Sequence, residues 1–198
     1  MTVAELLDEL AAAGIGCHSR LAGDTVIAGI GHDSRLVGPG DLFVALAGRR
    51  SDGMDFCRQA LDRGAAAVLG PAEGQEAGGS AMPIICVADP SDLGSAAGVA
   101  AAAFYGKPCE RMGLVAVTGT NGKTSVTYIL ESIWKAAGLS CGVLGTISLR
   151  CPDFERTAPM TTLPALELQA VLAEIADAGC TRAALEVSSH GLAQQRVA

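Results

Sequence analysis

One stretch limits what this chain can fold into more than any other. The apolar run Gly113-Leu114-Val115-Ala116-Val117 passes directly into Thr118-Gly119-Thr120-Asn121-Gly122-Lys123-Thr124, and a helical pattern over 124–137 follows, stopped by Gly138. A short apolar run that ends at a glycine-bearing turn reads as a strand. A glycine-bearing turn between strand and helix lets successive backbone amides converge, and the helix start adds unpaired amides and roughly half a positive charge. Together these form a cradle for a polyphosphate. Lys123 is expected to reach the β and γ phosphates of a nucleotide and Thr124 to offer its hydroxyl to magnesium. Thr118, Gly119, Thr120, Asn121 and Gly122 would line the loop. The first glycine of the full phosphate-loop pattern is missing, so the motif alone leaves open a tight strand-to-helix turn with an exposed lysine.

The elements around this loop alternate. Downstream, a strand is expected near 142–149, then a loop with Cys151-Pro152-Asp153, a helix over 165–178 stopped by Gly179, and a strand over 183–187. Upstream, helices are expected over 4–13, 54–63 and 92–104, the last begun by Asp89-Pro90-Ser91, and strands over 42–46, 66–69 and 84–87. In the downstream part, alternation of this kind predicts a parallel sheet covered by helices. Tyr105-Gly106-Lys107-Pro108 breaks the pattern. The expected organisation is a small α/β domain over 1–110, then the start of a parallel-sheet, ATPase-like domain over 111–198 that still lacks strands and so reads as incomplete.

Composition fits this class. Hydrophobic residues make up 49% and aromatics only 4%, leaving Ala, Val, Leu and Ile to fill the core. The formal net charge is -7 with no run of Lys or Arg, which argues against a nucleic-acid surface. A nucleotide stays compatible, since amides and a single lysine can hold its phosphates. The seven cysteines form no CxxC pair and read as reduced thiols, mostly apolar fillers such as Cys86. The first residues are acidic and amphipathic, unlike a signal peptide, and the Ala-rich 96–103 is too short to span a bilayer. A cytoplasmic protein without membrane insertion is expected.

Two further segments carry chemistry. Met160-Thr161-Thr162-Leu163-Pro164 sets two hydroxyls just before a helix, where simple N-capping is the better reading of the motif alone. Glu186-Val187-Ser188-Ser189-His190-Gly191-Leu192-Ala193-Gln194-Gln195-Arg196 begins with a carboxylate at the end of an apolar strand. Parallel sheets place their ligands at such strand ends, and a carboxylate there can reach magnesium from opposite the phosphate loop. Ser188, Gln194 and Arg196 suit an anionic substrate.

In this order, GTNGKT, TTLPALELQ and EVSSHGLAQQRV resemble the Mur ligase family, and within it the UDP-N-acetylmuramoyl-tripeptide synthetase (MurE) branch. DSRLVGPGDLFVALAGRRSDG over 33–53 resembles that branch's uridine-nucleotide domain, so the likeness spans nearly the whole chain. The resemblance implies that Thr118 to Thr124 bind ATP and its Mg2+, with Glu186 helping to hold the metal. Thr161, Thr162, Ser188, Gln194 and Arg196 would contact a UDP-MurNAc-L-Ala-D-Glu substrate. Ser34 would meet its uridine end, beside a loop of Arg49, Arg50 and Ser51. His190 lies within the motif without an assigned role. Met160 stands where some relatives carry Asn, and His32 where an apolar residue is expected. The family's carbamylated lysine and amino-acid-binding third domain would lie beyond position 198.

The activity so implied is ATP-dependent amide ligation through an acyl phosphate, in peptidoglycan precursor synthesis. It would add a diamino acid, meso-diaminopimelate before L-lysine, in a monomeric enzyme; the 198 residues alone are expected to be inactive. Rival readings are a MurF or folylpolyglutamate-type ligase, a P-loop kinase or regulatory NTPase, and a nucleotide-binding module without ligase activity.

Overall fold

The computed structural model describes residues 1–48, 51–71 and 82–197. The chain divides into two units, Met1–Phe104 and Tyr105–Ala198, each built on its own five-stranded sheet.

In the first unit, helix α1 (Val3–Ala12) begins with a reciprocal cap. The Glu5 amide donates to Thr2 Oγ1 and the Thr2 amide to the Glu5 carboxylate, satisfying two amides the helix cannot pair itself. Val3, Leu6 and Leu10 form its buried stripe. Strands β1 (Cys17–Ser19), β2 (Gly29–Gly31), β3 (Asp41–Val44), β4 (Ala67–Pro71) and β5 (Ile84–Val87) alternate with helices α2 (Cys57–Asp62) and α3 (Leu93–Phe104). The sheet order is β1-β5-β4-β3-β2, with β2 to β5 parallel and β1 antiparallel at one edge. Phe43, Val68 and Cys86 pack with Cys57 and Ala60 of α2 on one face. Strand side chains alternate between faces, so Leu42, Leu69 and Ile85, all fully buried, occupy the other. This is why β4 and β5 read as unbroken apolar runs.

The second unit starts with a short helix, α4 (Pro108–Arg111), and strand β6 (Gly113–Val117). Helix α5 (Lys123–Ala136), strands β7 (Cys141–Leu144), β8 (Ser148–Cys151) and β9 (Phe154–Thr157), helix α6 (Ala165–Asp177), strand β10 (Arg182–Glu186) and helix α7 (Ser189–Ala193) follow. The order is β6-β10-β7-β8-β9. Strands β6, β10 and β7 are parallel, while β8 and β9 are antiparallel.

Both sheets are therefore mixed: the parallel strands expected in the second unit are present as β6, β10 and β7, and β8 and β9 add an antiparallel edge to them. The single strand expected over 142–149 is two strands with a reversal between them, where the Gly145 amide donates to the Ser148 carbonyl. Gly145-Thr146 interrupts the apolar pattern only briefly, and Thr146 in the reversal bonds a distant residue described below. Likewise Cys151-Pro152-Asp153 is not a free loop but the end of β8 and its tight turn into β9.

Leu168, Leu172 and Ile175 of α6 pack with Leu144, Leu149, Ala183 and Leu185 to form the core of this unit. Helix α5 packs on β10, β7 and β6. It is tied to β8 by Glu131, whose carboxylate receives two bonds from the Arg150 guanidinium, at 2.5 and 3.1 Å, and one from Lys135 at 2.9 Å. The Arg150 guanidinium also lies 4.0 Å over the Tyr128 ring. The outward side of α5 carries Val126, Ile129 and Ile133, all exposed.

Candidate nucleotide and substrate site

The loop after β6 has the conformation its glycines allow. Gly122, at φ 81°, caps α5 in the left-handed region that other residues rarely enter, and Gly119 has φ 146°. No side chain caps α5, so the amides opening this fourteen-residue helix face the loop without a side-chain acceptor. Lys123 is the first residue of α5, and its ammonium donates to the Gly119 carbonyl at 2.7 Å, folding back across the loop. Thr118, Thr120 and Asn121 are exposed, and Thr124 is half-buried. The Thr127 hydroxyl donates to the Thr124 carbonyl, which bonds the first turn of the helix from within.

Glu186 ends β10 directly beside Val117, the last residue of β6, so its backbone stands one strand spacing, about 4.8 Å, from the residue that leads into the loop. Its residue is only 1% exposed. Both carboxylate oxygens accept from Thr146: the amide reaches Oε1 at 3.1 Å and the hydroxyl reaches Oε2 at 2.9 Å. Thr146 Oγ1 also lies 3.1 Å from Thr161 Oγ1. Gly145 allows this approach, since a Cβ there would sit 2.2 Å from Glu186 Oε1.

The two threonines before α6 part ways. Pro164 occupies the N-cap position with no side-chain cap bond, so neither Thr161 nor Thr162 is the cap that the motif alone favours. Thr162 is 1% exposed. Its hydroxyl donates to the Glu186 carbonyl at 3.0 Å and accepts from the Ser188 amide at 2.9 Å. It is thus a brace between two segments rather than a presented hydroxyl. The tertiary partners outcompete the local cap because the chain after β10 runs alongside and supplies an acceptor and a donor together.

Ser188 caps the short helix α7 by accepting from the Gly191 amide. Arg196 folds back over the same ground: one nitrogen donates to the Thr162 carbonyl at 2.6 Å, and two others grip Gln194 Oε1 at 3.0 and 2.6 Å. The same guanidinium lies 3.1 Å from the Met160 sulfur. Thr161, Ser188, Gln194, Arg196 and Glu186 therefore form one bonded cluster through Thr146 and Thr162. Exposed His190 lies in α7. Sequence reasoning missed Gly145 and Thr146, because nothing local marks them; Glu186 is forty residues away.

The donor set is oxygen only: one buried carboxylate and several hydroxyls. Among the described residues no group of three or more His, Cys, Asp or Glu comes together to hold a metal ion. One carboxylate with hydroxyls fits Mg2+, which keeps most of its waters and binds alongside phosphate, and does not fit zinc.

In the first unit, Ser34 is buried and its hydroxyl donates to Gln59 Oε1 at 2.6 Å. The carbonyl of exposed Ser51 accepts from the Gly48 amide at 2.9 Å. Arg49 and Arg50 lie outside the described residues. Asp33 and Arg35, flanking Ser34, form a two-pronged pair that holds the Asp33 carboxyl far below its usual range. Among the described residues, no helix is long and apolar enough to cross a membrane.

Residues 26–105 match the model of the Mur ligase family catalytic domain, and residues 117–198 that of the Mur ligase middle domain. Among curated proteins, the chain is 47% identical to UDP-N-acetylmuramoyl-L-alanyl-D-glutamate–2,6-diaminopimelate ligase of Parasynechococcus marenigrum (strain WH8102), over 88% of this chain and 35% of that protein. It is 44% identical to the ligase of the same name from Gloeobacter violaceus (strain ATCC 29082 / PCC 7421), over 94% of this chain and 37% of that one. A solved structure bearing this ligase name superimposes with a TM-score of 0.74 at 29% identity, covering 100% of this chain and 38% of that chain. The chain thus spans little more than a third of the length of the relatives it matches.

Proposed function

Because the chain belongs to the Mur ligase family, we propose that it is the nucleotide-binding part of an ATP-dependent ligase that adds 2,6-diaminopimelate to UDP-MurNAc-L-Ala-D-Glu. The names of its relatives motivate the substrates. The observation that carries the reading is the pairing of two strand ends: the glycine loop leaves β6 where the buried carboxylate of Glu186 ends β10.

In this reading the amides of the loop from Thr118 to Gly122 and the start of α5 receive the β and γ phosphates of ATP. Lys123 gives up its bond to the Gly119 carbonyl and donates to phosphate oxygen instead. That exchange replaces a neutral acceptor with a charged one, roughly doubling the strength of the hydrogen bond. Thr124 and Glu186 would hold Mg2+, which when bound neutralises charge on the transferring phosphoryl group. The γ-phosphoryl passes to the D-glutamate carboxylate, releasing ADP. The amine of the diamino acid then attacks the acyl phosphate, forming the amide and expelling phosphate. The protein's own part is to position the partners and hold charge where it develops.

Thr161, Ser188, Gln194 and Arg196 would face the peptidyl end of the substrate, with Thr162 as their brace. Ser34, Arg49, Arg50 and Ser51 would serve the uridine end. The test is ATP-dependent phosphate release by the full-length protein with UDP-MurNAc-L-Ala-D-Glu and either meso-diaminopimelate or L-lysine. Product with diaminopimelate, its loss in Lys123→Ala, and retained folding of that variant are expected. Near-normal turnover by Lys123→Ala rules the reading out.

A further inference from the structure

We infer that Thr146 is a positioning residue for the metal-binding carboxylate, fixing Glu186 at both oxygens and tying it to Thr161 on the substrate side. This rests on the proposed magnesium role of Glu186 and goes beyond it.

Three observations support the assignment. Glu186 is almost wholly buried, yet among the described residues both hydrogen bonds to its carboxylate come from a single residue, the Thr146 amide on Oε1 and the Thr146 hydroxyl on Oε2. Two bonds from one residue, one to each oxygen, fix the tilt of the carboxylate plane as well as its place. The backbone is also shaped for the purpose: any Cβ at Gly145 would collide with the same carboxylate, so the turn between β7 and β8 wraps the acid closely.

The direction of the hydrogen bonds follows from donor counting. A carboxylate only accepts, so the Thr146 hydroxyl spends its proton on Glu186 Oε2. Thr146 Oγ1 must then accept from Thr161, whose oxygen lies 3.1 Å away. The order is Thr161 to Thr146 to Glu186. With its proton so committed, Thr161 can only accept from a bound group, which suits an N–H or O–H of the substrate.

A carboxylate has about four lone-pair sites. Thr146 uses two of them and leaves the others for the cation and its waters. Groups that orient a metal ligand in this way typically alter metal affinity about ten- to hundredfold when removed.

The experiment uses the full-length protein and Mn2+ as a paramagnetic substitute for Mg2+, with its affinity read by electron paramagnetic resonance in the presence of a non-hydrolysable ATP analogue. Thr146→Val keeps the shape and the amide bond but deletes the hydroxyl. It should weaken Mn2+ binding about tenfold, leave metal-free nucleotide binding unchanged, and be restored by Thr146→Ser. In a Glu186→Gln background the same change should cost almost nothing, because the hydroxyl acts through that carboxylate.

Thr146→Ala repeats the test should the valine methyl disturb folding, which a thermal melt would reveal. Wild-type Mn2+ affinity in a folded Thr146→Val or Thr146→Ala variant, failure of serine to rescue, or additive losses in the double variant would each overturn the assignment. If Glu186→Gln alone leaves Mn2+ affinity intact, the metal role itself fails, and the positioning role falls with it.

Discussion

Gly145→Ala tests how closely the carboxylate of Glu186 is held. The new Cβ would lie 2.2 Å from Oε1 and 2.8 Å from Cδ. Ordinary van der Waals contact begins at 3.4 Å, so the carboxylate has to withdraw by the difference, about 1.2 Å. It cannot simply swing away, because both oxygens are held by Thr146 and the residue is buried. A displacement on the order of 1 Å in a group that positions reactants costs up to about a hundredfold in rate, or about 2.7 kcal/mol of transition-state stabilisation. In the full-length protein, kcat for ATP-dependent phosphate release should therefore fall by about this factor. The thermal midpoint should fall by only a few degrees, roughly. A kcat within about threefold of wild type in a folded Gly145→Ala protein would refute the reasoning, because the acid would then be free to move without consequence.

Two more perturbations probe the surroundings. The Glu131 carboxyl is held below its ordinary value of 4.5, chiefly by the Arg150 hydrogen bond. A lowered folded value means the pair stabilises the fold above pH ~4.5, and the contribution is lost as pH falls through the lowered value. Glu131→Gln should lower stability at pH 7 by about 3 kcal/mol, since it leaves a nearly buried guanidinium uncompensated. It should also show a shallower loss between pH 6 and pH 3 in chemical denaturation; equal slopes would contradict the pairing. Ser34→Ala should cost at most about 1 kcal/mol, since solvent can replace its bond to exposed Gln59, and raise the KM for the UDP-linked substrate without changing that for ATP. Unchanged kinetics for both substrates would remove Ser34 from the uridine site.

How far the sequence reached depended on whether the deciding interaction was local. The strand at 113–117, the glycine loop and the following helix are legible because an apolar run, a glycine turn and a 3.6-residue period each speak for themselves within a few residues. The reversal at Gly145 has no such signal. Val143-Leu144 and Leu149 lie on either side of the turn with only Gly145-Thr146-Ile147-Ser148 between them, and the bonds from Thr146 to Glu186 that accompany the turn join residues forty positions apart. Thr162 is a similar case, where a good local capper is taken up by Glu186 and Ser188 across the sheet end. Helix α7 leaves no mark in the sequence because five residues give no period to detect, and its Ser188 cap is one hydroxyl among several. The strands β1 and β2, at three residues each, fall below what any alternation pattern can resolve.

The most direct test is a crystal structure of the full-length protein with Mg2+ and a non-hydrolysable ATP analogue. The β and γ phosphates should lie on the amides between Gly119 and Thr124, with the Lys123 ammonium moved from the Gly119 carbonyl onto phosphate oxygen. A loop left vacant, with Lys123 still bonded to Gly119 while the analogue sits elsewhere, would contradict the account.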